Sequence, residues 1–296
     1  MASSKFSRVG VIGRQGSPLI NDSLEAVHQT LRERSCDVLV ENESASMLRG
    51  NDVKAVSRAE IHSCDLIVVV GGDGSILGVA RDFARSQIPV VGVNRGSLGF
   101  LADISPDEVE KQLHRVLDGD YRFEEHFLIQ QTVHRKSGIA HESSALNDVV
   151  VSSGSLSRMM EFRLSIDDEF VYEQRSDGLL ISSPTGSTAY SLSAGGPIMH
   201  PRLDAIAIIP MYPHTLTSRP IVVPGNFKLR VEVGHETHGA RTSSDSQVDF
   251  ELAPDDVIEI CKHEHVLRLI HLSTHSFYEA CRRKLDWGSR LGLRHD

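Results

Sequence analysis

Apolar residues in the first third of the chain follow two alternating periods. Mainly apolar runs at residues 8–12, 36–40, 65–70 and 89–93 have strand length, while the intervening segments repeat every three to four positions. Leu24, Val27, His28 and Leu31 fall on one helical face, and Ile76, Leu77, Ala80, Phe83 and Ala84 on another. Strands that lack polar alternation are covered on both faces. The rhythm therefore predicts a parallel sheet in an α/β layer, a Rossmann-like domain over residues 1–125.

The pattern changes after residue 125. Strand candidates at 128–134, 148–152, 161–166, 179–183, 221–223, 229–233, 257–260 and 266–272 are separated by turn residues, which predicts a mostly-β domain over 126–275. Residues 234–246, polar and rich in His, Thr and Ser, read as a long loop. A last helical stretch at 277–285 gathers Phe277, Ala280, Cys281 and Leu285 on one side. That stripe needs a cover, so the tail 276–296 is expected to pack back on the first domain.

Composition narrows the class of protein. Of 296 residues, 31 are Lys or Arg and 40 are Asp or Glu, a net charge of −9. Such a chain has no uncompensated positive field for a phosphate backbone or an anionic bilayer, so neither nucleic acid nor membrane is an expected partner. Its apolar runs are far shorter than the roughly 20 residues a crossing needs. Residues 1–8 are polar and lead directly into the first strand without an apolar signal region, which gives a cytoplasmic expectation. The four cysteines, Cys36, Cys64, Cys261 and Cys281, form no CxxC pair and suggest neither a zinc site nor a disulfide framework.

Two glycine-rich segments carry the candidate chemistry. In the first, Val68-Val69-Val70 runs into Gly71-Gly72-Asp73-Gly74-Ser75 and then a helix. Glycines let the backbone approach a phosphate, and the first N–H groups of a helix are unpaired donors with partial positive charge. Asp73 sits at the carboxyl end of its strand, where open α/β sheets place ligands. A carboxylate there would accept a proton from an attacking hydroxyl or hold a divalent cation; the alternative is a helix cap in a tight turn. The segment is neither a Walker A sequence nor GxGxxG, and the P-loop lysine is missing. In the second segment, Ser183 to Pro197, hydroxyls and exposed amides suit a sugar-phosphate, and Tyr190 suits a stacked base or nicotinamide ring. A serine- and threonine-rich surface loop is the competing reading.

These motifs, taken in order with Asn94-Arg95-Gly96-Ser97-Leu98-Gly99-Phe100-Leu101, Asn147-Asp148 and Arg175-Ser176-Asp177-Gly178, resemble the motif set of bacterial NAD kinases over most of the chain. The glycine-aspartate motif alone is shared with 6-phosphofructokinases, diacylglycerol kinases and sphingosine kinases; the second glycine-rich segment in company with the rest is specific. The resemblance implies transfer of the γ-phosphoryl group of ATP to the 2′-hydroxyl of the adenosine ribose of NAD. It makes Asp73 the general base and sets Gly71, Gly72, Gly74 and Ser75 against the donor phosphates. For NAD it implies Asp73, Gly74, Asn147, Asp148, Arg158, Arg175, Asp177, Thr188, Ala189, Tyr190, Ser191, Leu192, Ser193 and Gln247. It further implies a divalent cation, Mg²⁺ by preference, with no protein ligands assigned, and a homodimer or homotetramer.

A lipid or sugar kinase sharing the glycine-aspartate fold, and a non-catalytic NAD(P) sensor, are the rival functions. No large apolar acceptor segment supports the first, and the presence of Asp73 argues against the second. His235-Glu236-Thr237-His238 lacks the i, i+4 spacing of a zincin helix, so a metalloprotease is not expected. His271 and His275 read as structural.

Overall fold

The computed structural model describes residues 5–14, 18–50, 52–94, 99–154, 159–215 and 217–287. The chain packs as two compact units, one formed by residues up to Glu125 together with those from Leu267 onward, the other by His126–Val266.

The first unit contains β1 (Arg8–Gly13), α1 (Pro18–Glu33), β2 (Asp37–Glu41), a short α2 (Asn42–Ala45), β3 (Ala55–Val56), β4 (Leu66–Val70), α3 (Asp73–Phe83), β5 (Val90–Val93) and α4 (Val109–Asp118). Parallel pairing gives the order β5-β4-β1-β2-β3, with Val9 opposite both Val38 and Leu66, and Val69 opposite Gly92. As expected of strands covered on both faces, all five residues of β4 are buried. Val68 and Val70 join Leu24, Val27 and Leu31 of α1 and Leu113 and Val116 of α4 in one apolar core.

The second unit begins within β6 (Tyr121–Arg135) and continues with β7 (Gly138–Ala145), β8 (Asp148–Ser152), β9 (Met160–Ile166), β10 (Glu169–Ser176), β11 (Gly178–Ser182), the one-turn α5 (Tyr190–Ser193) and β12 (Ala205–Met211). It is completed by β13 (Ile221–Pro224), β14 (Leu229–Val233), β15 (Arg241–Ser244), β16 (Val248–Glu251) and the first part of β17 (Val257–Leu272). Antiparallel pairing builds one sheet from β10, β9, β14 and β17, and a second in the order β13-β12-β11-β8-β15-β16. Val149, Val151, Leu179, Ile181 and Ile208 of the second sheet meet Phe162, Leu164, Val231 and Ile258 of the first in a shared core.

β17 then returns to the first unit, where Leu269 pairs in parallel with Val90 of β5, and α6 (Phe277–Leu285) buries Ala280 and Cys281 there. The tail helix thus packs with the first unit.

Three sequence expectations need correction. The two strands expected at 257–260 and 266–272 are one continuous strand, because the polar residues between them, Cys261 to His265, keep extended backbone. The second unit ends at Val266 rather than 275, since the last part of β17 pairs with β5. The loop expected at 234–246 contains β15, a strand hidden by its polar composition: Thr242 and Ser244 are fully buried and hydrogen-bonded, Thr242 Oγ1 to Gln131 Oε1 at 2.6 Å and Ser244 Oγ from Gln131 Nε2 at 2.9 Å.

Candidate active site

In the first unit, β4 ends at Val70, the Gly71 N–H bonds to the Val93 carbonyl at 2.8 Å, and α3 starts at Asp73. Gly72, with extended backbone, is the capping position, so Asp73 is the first helical residue and not the cap that the competing reading required. Its carboxylate faces the segment after β5. Oδ2 accepts the backbone N–H of Phe100 at 3.0 Å, and Oδ1 accepts those of Leu101 at 3.2 Å and Ala102 at 3.3 Å. Three amides from consecutive residues fix both oxygens.

Gly99 lies against that carboxylate so closely that a Cβ there would collide with Asp73 Oδ1. The Asp73 side chain remains 27% exposed, which keeps an oxygen lone pair open to a substrate. From the C-terminal helix, Lys284 Nζ reaches Asp73 Oδ2 at 3.3 Å. Ser75 Oγ is buried under Gly71 and has no hydrogen-bond partner among the described residues.

The same segment is anchored at the next residue. Asp103 Oδ2 accepts from His271 Nδ1 at 2.5 Å and Asp103 Oδ1 pairs with His275 Nδ1 at 2.7 Å, with all three side chains nearly buried and the imidazoles stacked at 4.0 Å. Burial works to raise the Asp103 pKa, but the hydrogen bonds from His271 and His275 outweigh it and bring the group down to about 2.

In the second unit, three separate stretches converge. Asp245 sits in the turn between β15 and β16, where it and Ser246 both adopt positive φ, +54° and +52°, as a tight hairpin requires. That conformation turns its carboxylate inward, where it accepts the N–H groups of Leu146 at 3.1 Å, Asn147 at 2.7 Å and Asp148 at 3.4 Å. The turn at Thr185-Gly186 closes on the same segment: a Cβ on Gly186 would strike the Asn147 carbonyl, and Ser183 Oγ donates to the Leu146 carbonyl at 2.5 Å. Thr185 Oγ1 is hydrogen-bonded to the buried His126 Nδ1 at 2.8 Å.

Asp148 is 3% exposed, and burial first and the neighbouring Asp245 charge second push its pKa up to about 7. Tyr190 is 43% exposed, and its phenol is raised by partial burial and by Tyr212, Asp148 and Asp177 nearby. The fold therefore gathers Asn147, Asp148, Asp177 and Tyr190 into one neighbourhood. Thr188 and Ala189 continue the turn beside them, and α5 carries Ser191, buried, with Leu192 and Ser193 on its more open side. Arg175 and Gln247 have exposed side chains. Arg158, like Arg95 to Leu98, lies outside the described residues.

Residues 9–121 match the ATP-NAD kinase N-terminal domain and residues 146–272 the ATP-NAD kinase C-terminal domain. The chain is 50% identical to the NAD kinase of Pseudomonas entomophila (strain L48) over 99% of both chains. The chain belongs to the NAD kinase family. To the NAD kinase of Azotobacter vinelandii it is 50% identical over 97% of this chain and 98% of the relative. Its fold resembles that of the yeast NADH kinase solved with NADH, with a TM-score of 0.88, 22% identity and coverage of 98% of this chain and 90% of that one. It is also similar to an NAD kinase from Archaeoglobus fulgidus solved in complex with ATP, with a TM-score of 0.69, 25% identity and coverage of 90% and 94%.

Within this NAD kinase scaffold, the sequence reading missed Asp245, Lys284 and Asp103, whereas His271 and His275, read as structural, do hold Asp103. Asp245 had a local signal, an aspartate in a Ser-Asp-Ser turn two residues before the candidate Gln247. Lys284 had one too, because it stands seven residues after Phe277 and so shares the apolar side of α6.

Proposed function

We propose that this chain transfers the γ-phosphoryl group of ATP to the 2′-hydroxyl of the adenosine ribose of NAD, giving NADP and ADP. The observation that carries the reading is the Asp73 carboxylate, fixed by three backbone amides at the end of β4 and still partly open. A carboxylate is a weak base beside an alcohol. Asp73 therefore takes the hydroxyl proton late, as the bond to phosphorus forms and the bond to the leaving β-phosphate breaks. Fixing it beforehand removes the reorganisation a mobile side chain would need. The first amides of α3 and the Gly72 backbone support the donor phosphates, while the Gly71 N–H is taken by the Val93 carbonyl and only shapes the turn.

On this reading Asn147, Asp148 and Asp177 hold the dinucleotide, and Tyr190 with Thr188 to Ser193 lines it. Arg158, Arg175 and Gln247 belong to the same proposal. A buried Asp148 that still holds its proton near neutrality donates a hydrogen bond to a nucleoside acceptor as readily as it accepts one.

A divalent cation, Mg²⁺ by preference, supplies charge neutralisation on the donor phosphates. Among the described residues no cluster of three ligating groups includes Asp73, and a cation already stands beside it. The residues fit an ion carried by the triphosphate and water rather than by a protein cage. No helix among the described residues is long and apolar enough to cross a membrane. Location in the cytoplasm and assembly as a homodimer or homotetramer complete the proposal, the latter measurable by light scattering.

The deciding experiment is purified protein with ATP, Mg²⁺ and NAD, read out by an NADP-specific dehydrogenase. NADP is expected to accumulate, while AMP and diacylglycerol stay unphosphorylated. Lipid phosphorylation without NADP formation would overturn the assignment.

A further inference from the structure

The glycine turn at Gly71 to Ser75 carries no lysine, although phosphoryl-transfer loops of the P-loop type place one against the donor phosphates. In the first unit a lysine arrives from elsewhere. Lys284, 211 residues downstream of Asp73, sends its Nζ to 3.3 Å from Asp73 Oδ2. The same Nζ lies 4.9 Å from the centroid of the Phe100 ring, and Phe100 supplies one of the amides that hold Asp73. Phe100 in turn packs against Phe277 at the start of α6, ring centroids 6.3 Å apart. Carboxylate, aromatic face and ammonium thus form one cluster, and α6 is docked by the residues that its first and last turns share with the segment after Gly99.

Resting on the NAD kinase reading above, we infer that Lys284 is the cationic contact for the transferred phosphoryl group, supplied by α6 in place of a lysine in the glycine turn. The charge sequence supports this. Before reaction, the Asp73 carboxylate and its amides hold the ammonium in place. As the acceptor hydroxyl proton passes to Asp73, the acceptor oxygen bonds to the γ-phosphorus and the electron pair of the breaking P–O bond leaves with ADP. Asp73 becomes neutral in that step, and its hold on Lys284 weakens as negative charge collects on the phosphoryl oxygens. The Lys284 ammonium then follows the charge. The bland alternative is a half-exposed ion pair, which contributes little to stability and nothing to rate.

The test compares wild type with K284M and K284R in the NADP-forming assay, together with calorimetric binding of inorganic tripolyphosphate. K284M is expected to lose on the order of 30-fold in kcat and to raise KM for ATP several-fold. KM for NAD should stay within about twofold and Tm within about 2 °C, because the pair is partly solvated. Tripolyphosphate should bind K284M at least about fivefold more weakly, and K284R should recover most of both losses, since charge is what matters. K284M turning over within about twofold of wild type with an unchanged KM for ATP overturns the inference. So does a folded K284R at least about 30-fold slower than wild type in kcat, which decides the matter without K284M should that variant fail to fold. A wild type that makes no NADP, yet loses tripolyphosphate binding in K284M, sinks the NAD kinase reading and leaves the phosphate contact standing.

Discussion

Asp245 accepts the backbone N–H of Asn147 at 2.7 Å, joining a hairpin turn to the segment that opens β8. The turn and the segment are 98 residues apart in sequence, so neither orders the other until the second unit has folded. The carboxylate also takes the N–H groups of Leu146 and Asp148, so one side chain sets the backbone that presents Asn147. Asp245→Asn isolates that function, because asparagine also tolerates the left-handed conformation of the turn. One arm of its amide would then offer N–H to an N–H. We expect a loss of about 2 kcal/mol at pH 5, the usual scale for charge-assisted bonds, and a rise in KM for NAD. Denaturant titration and steady-state kinetics check both, and a variant equal to wild type in each would remove the role given to Asp245.

Asp148 gives a pH-dependent prediction with the opposite sign. Its pKa is raised to about 7 in the folded protein by burial and by Asp245. The unfolded chain releases this proton from about pH 4 upward, while the folded chain keeps it, so the stabilising effect of the protonated group is full at low pH and disappears as pH rises through 7. Asp148→Asn removes the ionisation. Its Tm should exceed wild type by about 5 °C at pH 8, with the difference shrinking as pH falls from 7 toward 4. A Tm difference that stays constant from pH 4 to pH 8 would show that Asp148 ionises as an ordinary carboxylate.

What was legible in the sequence was local. Val68 to Gly74 is a buried strand, a glycine turn and a helix start within seven residues, so chemistry and geometry could be read together. β15 was not legible because Thr242 and Ser244 replace apolar burial with hydrogen bonds to Gln131, a partner more than a hundred residues away. β17 read as two strands because hydropathy falls at Cys261 to His265 while its backbone stays extended. The glycine turn marks Asp73 as a candidate base, with a helix cap as the alternative, but its partners were not legible. Its actual partners are three amides whose availability depends on the course of the chain after β5, and hydrophobic period says nothing about that course.

Asp103 predicts how the first unit meets acid. Burial opposes its ionisation, yet His271 and His275 prevail and hold its pKa at about 2, below the ordinary 3.8. The stabilising effect is present in full above about pH 4 and is lost as pH falls toward 2. It amounts to about 2 kcal/mol. Wild type should therefore exceed Asp103→Asn by that amount at pH 6, and the gap should narrow between pH 4 and pH 2 in urea titrations. An equal gap at pH 6 and pH 2.5 would refute the clamp.

Asp73 itself requires two variants, because its surroundings complicate the obvious one. Asparagine is close in size and cannot take the hydroxyl proton, so Asp73→Asn should cost at least about a hundredfold in kcat on the general-base reading. But both carboxylate oxygens accept N–H groups here, and an Asn amide would turn a donor toward either Phe100 or Leu101 and Ala102. Some of the loss would then come from a displaced side chain. Gly99→Ala separates the two effects: it leaves the carboxylate intact, but its Cβ would collide with Asp73 Oδ1 and force the side chain aside. Misplacing a base without removing it should lower kcat by about tenfold to a hundredfold while KM for NAD changes little. The two losses should not multiply in the double variant, since a displaced asparagine is no worse than a seated one. If Asp73→Asn turns over within about threefold of wild type at the same Tm, Asp73 is a structural residue and the proton goes elsewhere.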